Sequence, residues 1–194
     1  MFIYHLKKRG GWNVLGSGAY STVLEHPKNP NKVLKVIRQE DGWINYICWG
    51  ASKGFSGTFT PKVYSYKRVK GKEKDFYLAS MERLEYTAHG AGRGGFDHTY
   101  NDEVEAKGFF YKHLFRPNAN RYIGDMMEKL EPGFSGFAQD LAKTFTDGLD
   151  IHGGNVMFRK DGGLCVTDPV ACSSTVPIQV NRLRGEEFSR VTTH

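Results

Sequence analysis

The stretch "GLDIHGGNVMFRKDGGLCVTDPV", residues 148–170, sets Asp150, Asn155 and Asp168 around a glycine-rich run in the last quarter of the chain. Taken alone this is ordinary loop chemistry, because Asp, Asn and Gly are the residues that tight turns favour. Within it, "NVMFRKDGGLCVTD" has two short apolar runs on either side of Lys160-Asp161-Gly162-Gly163, the signal of a β-hairpin. The stretch therefore reads as an Asp-x-x-x-x-Asn followed by a hairpin that ends in Asp. What that set is for depends on the rest of the chain.

The chain has 194 residues, 39% of them hydrophobic, enough to bury a real core as one domain or as two small lobes. No run of about 18 apolar residues is present to span a bilayer, and the start "MFIYHLKKRGG" lacks the apolar segment of a secretory signal. The expected location is the cytosol. Cys48, Cys165 and Cys172 are odd in number and form no CxxC, which points to reduced, mostly buried thiols rather than a disulfide framework or a zinc site. A formal charge of +6 favours an acidic partner without choosing among nucleic acid, nucleotide and acidic protein.

Outward from the opening stretch, the first eighty residues read as "WNVLG", "STVLEH" and "KVLKVI", an antiparallel meander with the turn "PKNPN" between its second and third strands. "DGWINYICWGASKG" is apolar at Trp43, Ile44, Ile47 and Ala51, a helical spacing closed by Gly54. "PKVYSYKRV" and "DFYLASM" flank the charged turn "KGKEK" as a further hairpin. The order is three strands, one helix, two strands. The second half is helical in character. "NDEVEAKGFFYKHLF" predicts a helix ended by Pro117, and "FSGFAQDLAKTF" places Phe134, Phe137, Leu141 and Phe145 on one face. The halves meet near Glu82 to Gly95, giving a division into 1–84 and 85–194.

Two further features gain meaning from their order. "LGSGAYSTVL" puts Gly16 and Gly18 at the turn of the first hairpin, where bare backbone approaches a phosphate closely; a GxG alone is more often only a turn. Lys35 lies in the apolar strand "VLKVI", and taken by itself a strand lysine is as readily a solvent-facing one. A glycine-rich hairpin, a lysine in the next strand, and a late Asp-x-x-x-x-Asn with a hairpin ending in Asp are together the arrangement that phosphoryl transfer needs. The lysine charge orients phosphates, and Asn155 and Asp168 offer the oxygen ligands that Mg²⁺ prefers. Asp150 is placed to accept the proton of an attacking hydroxyl.

These residues resemble the protein kinase-like superfamily. Asp150, Asn155 and Asp168 match its catalytic Asp, its metal-binding Asn and the Asp of its DFG segment, at intervals of five and thirteen residues. "SMERL" is similar to the hinge, with Met81 in the gatekeeper position and Glu82 to Leu84 offering backbone to adenine. The resemblance implies an α+β, two-lobed kinase-like fold, with an antiparallel sheet and one helix in the first lobe and a reduced, mainly helical second lobe. It implies ATP and Mg²⁺ as cofactors: nucleotide contacts at Gly16, Ser17, Gly18, Val23, Lys35, Met81, Glu82 and Leu84, metal ligands at Asn155 and Asp168, and catalysis by Asp150 with Lys35. "DIHGGN" has the Asp-x-His-x-x-Asn form found in aminoglycoside phosphotransferases and other atypical kinases. "HPKNPNKVLKV", and "DIHGGNVMF" through "VTDPV", resemble the early serine/threonine protein kinases of short-tailed lytic coliphages, and the chain looks like the kinase domain alone. That resemblance implies action in the cytoplasm of the infected bacterium on host proteins, RNA polymerase and other gene-expression factors among them, with nucleic acid met only indirectly and no membrane. In the related proteins a further arginine-rich region is associated with host transcription shut-off.

The chain departs from the usual pattern in several places. Ser21 stands at the third glycine of the loop, Asp168-Pro169-Val170 replaces DFG, and Gly148 and Leu149 occupy the HRD His and Arg positions. No acidic residue lies mid-helix in "GWINYICWGASKG" to pair with Lys35, and Glu40 and Asp41 lie too close to the strand. Few residues follow Asp168, so the usual peptide-docking platform is not expected. Two alternatives follow from these departures: a kinase-like protein that binds and inhibits a host factor without catalysis, and a small-molecule phosphotransferase.

Overall fold

The computed structural model describes residues 2–18, 20–37, 42–70, 75–85, 121–146, 149–150 and 155–170. Three short stretches rich in β-branched and long aliphatic residues become consecutive strands: β1 (Asn13–Ser17), β2 (Ser21–Glu25) and β3 (Lys32–Ile37). After helix α2 (Gly42–Ser52) come β4 (Val63–Val69) and β5 (Phe76–Glu82). β5 inserts beside β3, so the antiparallel sheet runs β1-β2-β3-β5-β4. This is the expected α+β arrangement, with one addition. A helix, α1 (Phe2–Gly10), precedes β1, so the first 84 residues carry two helices rather than one. Phe2, Ile3 and Leu6 have helical spacing, but only two turns fit before Gly10 and Gly11, and Gly11 takes a φ of +67° that ends the helix.

The register fixes which side chains share a face. Val23 lies opposite Lys35, and Lys35 opposite Ala79, while Val33 lies opposite Met81. Because side chains alternate along a strand, Val33 and Lys35 emerge on one side of β3 and bring Val23 and Met81 with them.

Past the sheet come α3 (Arg121–Leu130), α4 (Phe134–Thr144) and a ribbon of β6 (Val156–Phe158) with β7 (Leu164–Val166). Helix α3 was not foreseen, although Tyr122, Ile123, Met126, Met127 and Leu130 have helical spacing; Gly124, a poor helix former, lies outside that stripe. The ribbon turns where expected, with Gly162 at φ +83° and Asp161 Oδ1 accepting from Gly163 N at 3.0 Å. Helix α4 begins after Gly133 with no cap of its own. Glu128 supplies it, accepting from Gly133 N at 2.7 Å and Ser135 N at 2.9 Å, and these donors hold its carboxyl below the usual range. The helix expected over 101–115 lies outside the described residues.

Helix α2 is buried on nearly every side, at Trp43, Ile44, Tyr46, Ile47, Cys48, Trp49 and Gly50. That is the environment of a helix apolar all round. Trp49 meets Phe137 at 5.7 Å and Phe145 at 5.7 Å between ring centroids, and Phe59 meets Phe134 at 5.4 Å. One core therefore runs from Val33 and Ile37 of the sheet through α2 to α4 and the ribbon residues Leu164 and Val166. Burial pushes the Cys48 and Cys165 thiols up from their ordinary value, as expected of inert core cysteines. No helix among the described residues is long and apolar enough to cross a membrane.

The tightest seam of this core is Gly50 against Thr60, where a Cβ on residue 50 would stand 2.7 Å from Thr60 Cγ2. Gly50→Ala is expected to cost about 1–3 kcal/mol, the usual penalty of overpacking, lowering the midpoint of thermal unfolding by about 2–4 °C per kcal/mol. Adding Thr60→Ser should recover part of the loss. An unchanged midpoint in the single variant would show that α2 is free to move away from the Thr60 loop.

Candidate active site

The face of β3 that carries Val33 and Lys35 opens onto a cleft of about 380 Å³. Leu15, Gly16, Ser17 and Gly18 reach it from β1 and its turn, and Ser21 and Val23 from β2. Met81, Glu82 and Leu84 line it where β5 ends, and Asn155, Met157, Thr167 and Asp168 line it from the ribbon. Every residue expected to contact nucleotide or metal thus borders one cavity. Asp150 does not. It is exposed and sits beside the cleft, its N–H donating to Pro169 O at 2.7 Å and its carbonyl accepting from Asn155 Nδ2 at 2.8 Å.

Lys35 is 5% exposed, not solvent-facing, and its ammonium donates to Asp168 Oδ2 at 2.9 Å. A buried ammonium is costly unless paired, and the pairing here joins residues 133 positions apart in the sequence. Helix α2 approaches Lys35 with Trp43 instead of an acid: the Nζ lies 4.5 Å from the centroid of that ring. Glu40 and Asp41 fall outside the described residues.

The glycine turn is shaped by something other than packing. Neither Gly16 nor Gly18 has a positive φ, and a Cβ built on either meets nothing within 4 Å. Their missing side chains leave the cleft open above Lys35. Gly18 N donates to Ser21 O at 2.9 Å and Ser17 Oγ lies 3.0 Å from Thr22 Oγ1, so the two strands stay joined up to the turn.

Where the sheet meets the ribbon, Arg159 gathers the pieces. Its Nε donates to Glu82 Oε2 at 3.2 Å and its Nη2 to Glu82 Oε1 at 2.9 Å. The same guanidinium donates to the carbonyls of Thr58, Thr60 and Leu164. Burial opposes its charge most strongly, but its hydrogen bonds to Glu82 together with the negative charge around it, Glu82 and Asp161 included, outweigh that, and its pKa stands above the ordinary value. Beside it, Glu85 and Phe158 exchange two backbone hydrogen bonds of 2.8 Å, pinning the segment after β5 to β6.

Several lining residues were not anticipated as site residues: Leu15, Ser21, Val33, Trp43, Met157 and Thr167. Val33 had a signal, lying two positions along β3 from Lys35 and so on the same face. Trp43 had none. His152, the runs "HGAGRGG" and "FFYKHLF", and "CSSTVP" after the ribbon lie outside the described residues.

The donor set suits a hard cation held jointly with a ligand. With Nδ2 spent on the Asp150 carbonyl, Asn155 has its amide oxygen to offer, and Asp168 a carboxylate that is 31% exposed. Mg²⁺ commonly takes one or two such protein oxygens and completes its shell with waters and phosphates. Among the described residues no group of three His, Cys, Asp or Glu could hold a metal unaided.

The sequence profile of the family described as bacteriophage T7 protein kinase 0.7 matches residues 3–187. Two similar solved structures are an apo pseudokinase and a microcompartment-associated aminopropanol kinase, at 12% and 14% identity. Their TM-scores are 0.38 and 0.35, over 82% and 81% of this chain. The chain spans only 56% and 63% of the lengths of those proteins. No curated protein sequence matches it.

Arg159→Met would remove the guanidinium from the Glu82 carboxylate, which keeps only Lys62 N–H on Oε1, and from three carbonyls, of which Thr60 O keeps Gly57 N–H. The expected loss is about 3–5 kcal/mol, that of breaking a largely buried ion pair, read as a lower urea midpoint. A loss under about 1 kcal/mol, typical of an exposed pair, would remove this contact as the joint between sheet and ribbon.

Proposed function

The chain belongs to the bacteriophage T7 protein kinase 0.7 family, and from that premise we propose that it transfers the γ-phosphate of ATP, with Mg²⁺, to serine or threonine hydroxyls of host proteins. The observation that carries the reading is the 2.9 Å contact of Lys35 with Asp168 in a cleft also lined by Asn155 and the Gly16–Gly18 turn. When bound, Mg·ATP supplies the phosphoryl group and the metal charge that offsets charge on its oxygens. The protein's part is positioning. The glycine turn, bare of side chains at Gly16 and Gly18, lets its backbone approach phosphate closely, and the Lys35 ammonium attracts and orients it. Asp168 and Asn155 would hold the metal. Asp150 accepts the proton of the attacking hydroxyl, its backbone fixed from both sides by Pro169 and Asn155.

The hinge fits an adenine edge in a particular way. Glu82 N–H and Arg83 N–H are spent on the carbonyls of Lys62 and Asn31, both at 3.0 Å. Among the described residues no acceptor is seen for Leu84 N–H, which makes it the hinge donor offered to a base, and Met81 closes the apolar depth of the cleft. Action on acidic host proteins, gene-expression factors among them, within the infected cell is supported by the charge of +6. Lys67 and Arg68 stand exposed on the edge strand β4 and Lys70 just after it, where long-range attraction needs no strict motif.

Purified protein incubated with γ-labelled ATP, Mg²⁺ and host lysate should label protein serines and threonines. Asp150→Ala and Asp168→Ala should each lower transfer by about 10²-fold or more with thermal unfolding retained, and Lys35→Met should lose most activity. Labelling of host proteins should fall as salt shortens the screening length below about 8 Å, with ATP hydrolysis less affected. Wild-type transfer in either aspartate variant refutes its assigned role. Labelling confined to small hydroxyl compounds, or no labelling at all, refutes protein kinase activity.

A further inference from the structure

We infer that Trp43 takes over, in this chain, the positioning that a helix carboxylate would give Lys35, and that it does so by contacts at the face and at the N–H edge of the same indole. The inference rests on the kinase reading and deepens it. The Lys35 ammonium sits 4.5 Å from the Trp43 centroid, inside the roughly 6 Å reach of a cation–π contact, and the ring is 1% exposed. The indole Nε1 donates to Thr167 O at 3.0 Å, on the residue immediately before Asp168. One helical turn on, the Tyr46 hydroxyl donates to Val166 O at 2.7 Å. Helix α2 therefore grips two successive carbonyls leading to Asp168, and with the same Trp43 it holds the lysine that Asp168 pairs with.

The chemistry of this arrangement differs from that of an ion pair. A carboxylate on α2 would neutralise much of the Lys35 charge. A π face holds the ammonium in place and leaves its full charge directed at Asp168 or at a phosphate. The helix is moreover tethered by neutral donors in a buried seam, so the placing of Lys35 does not depend on forming a charge pair with α2. Trp43 is a positioning residue: it acts on phosphate only through Lys35 and on the metal ligand only through the Thr167 backbone.

The test uses the full chain with Trp43→Phe, which keeps a ring and loses the N–H, Trp43→Leu, which loses both, Lys35→Met, and the double variant Lys35→Met/Trp43→Leu. Urea unfolding without nucleotide is the first readout. The midpoint loss caused by Trp43→Leu should be clearly smaller in the Lys35→Met background, because the two residues share one interaction. Additive losses overturn the inference. The second readout is the KM for ATP, which Trp43→Leu should raise about thirtyfold, the size of a desolvated cation–π contact, while the KM for protein substrate stays put. Trp43→Phe should raise it less. Equal effects of Phe and Leu, or no change with Leu, overturn it as well. Should Trp43→Leu fail to fold, Trp43→Met takes its corner of the cycle. A wild-type protein that transfers no phosphate but shows the coupling in unfolding refutes the proposed function and leaves the Lys35–Trp43 assignment standing.

Discussion

One guanidinium decides where the ribbon stands against the sheet. Arg159, at the end of β6, forms two hydrogen bonds with Glu82 at the end of β5 and three more with carbonyls of the Thr58–Thr60 loop and of β7. Its planar fork of five donors has enough valence to tie three segments at once, which a lysine has not. Because Met81 and Leu84 flank Glu82 on one side, and Met157 lies two residues before Arg159 on the other, this joint sets the separation of two walls of the cleft. Glu82 thus has a double task. Its carboxylate is structural while its backbone remains part of the cleft.

Around that joint, the core makes the cleft rigid by aromatic packing. Trp49, Phe55, Phe59 and Phe137 contact one another at centroid distances of 5.2–6.2 Å, so α2, the loop after it and α4 move as a block. On the cleft side of the same helix, Trp43 and Tyr46 donate into the backbone before Asp168. Apolar burial and polar satisfaction are combined in single side chains there, the use to which buried Trp and Tyr are best suited. The Lys35–Asp168 pair then closes the site, its ammonium kept from water by the sheet and its carboxylate still part-exposed.

Much of this was legible in the residues. The meander, helix α2 closed by Gly54, the β4–β5 hairpin and the ribbon turning at Gly162 all follow from local period and turn chemistry, which short-range sterics enforce. The placing of Asn155 and Asp168 opposite the glycine turn followed from their order. What was not legible is tertiary. Helix α1 is only two turns long, too short for a decisive period, whereas α3 does carry an apolar stripe and was passed over. The partner of Lys35 on α2 was sought as an acid, and sequence spacing gives no sign that a tryptophan at the start of that helix would reach it. Nor does anything near Arg159 reveal that, Leu164 apart, its acceptors lie 77 to 101 residues away.

The proposed function requires Lys35, Asn155 and Asp168 to form one metal–nucleotide site rather than a structural ion pair beside an idle cleft. Calorimetric titration with a non-hydrolysable ATP analogue, with and without Mg²⁺, tests it most directly in wild type, Lys35→Met and Asp168→Asn. Saturable binding to the wild type that strengthens with Mg²⁺, loses that Mg²⁺ dependence in Asp168→Asn and weakens in Lys35→Met is the predicted result. No binding, or binding of equal strength in all three proteins whether or not Mg²⁺ is present, would contradict it.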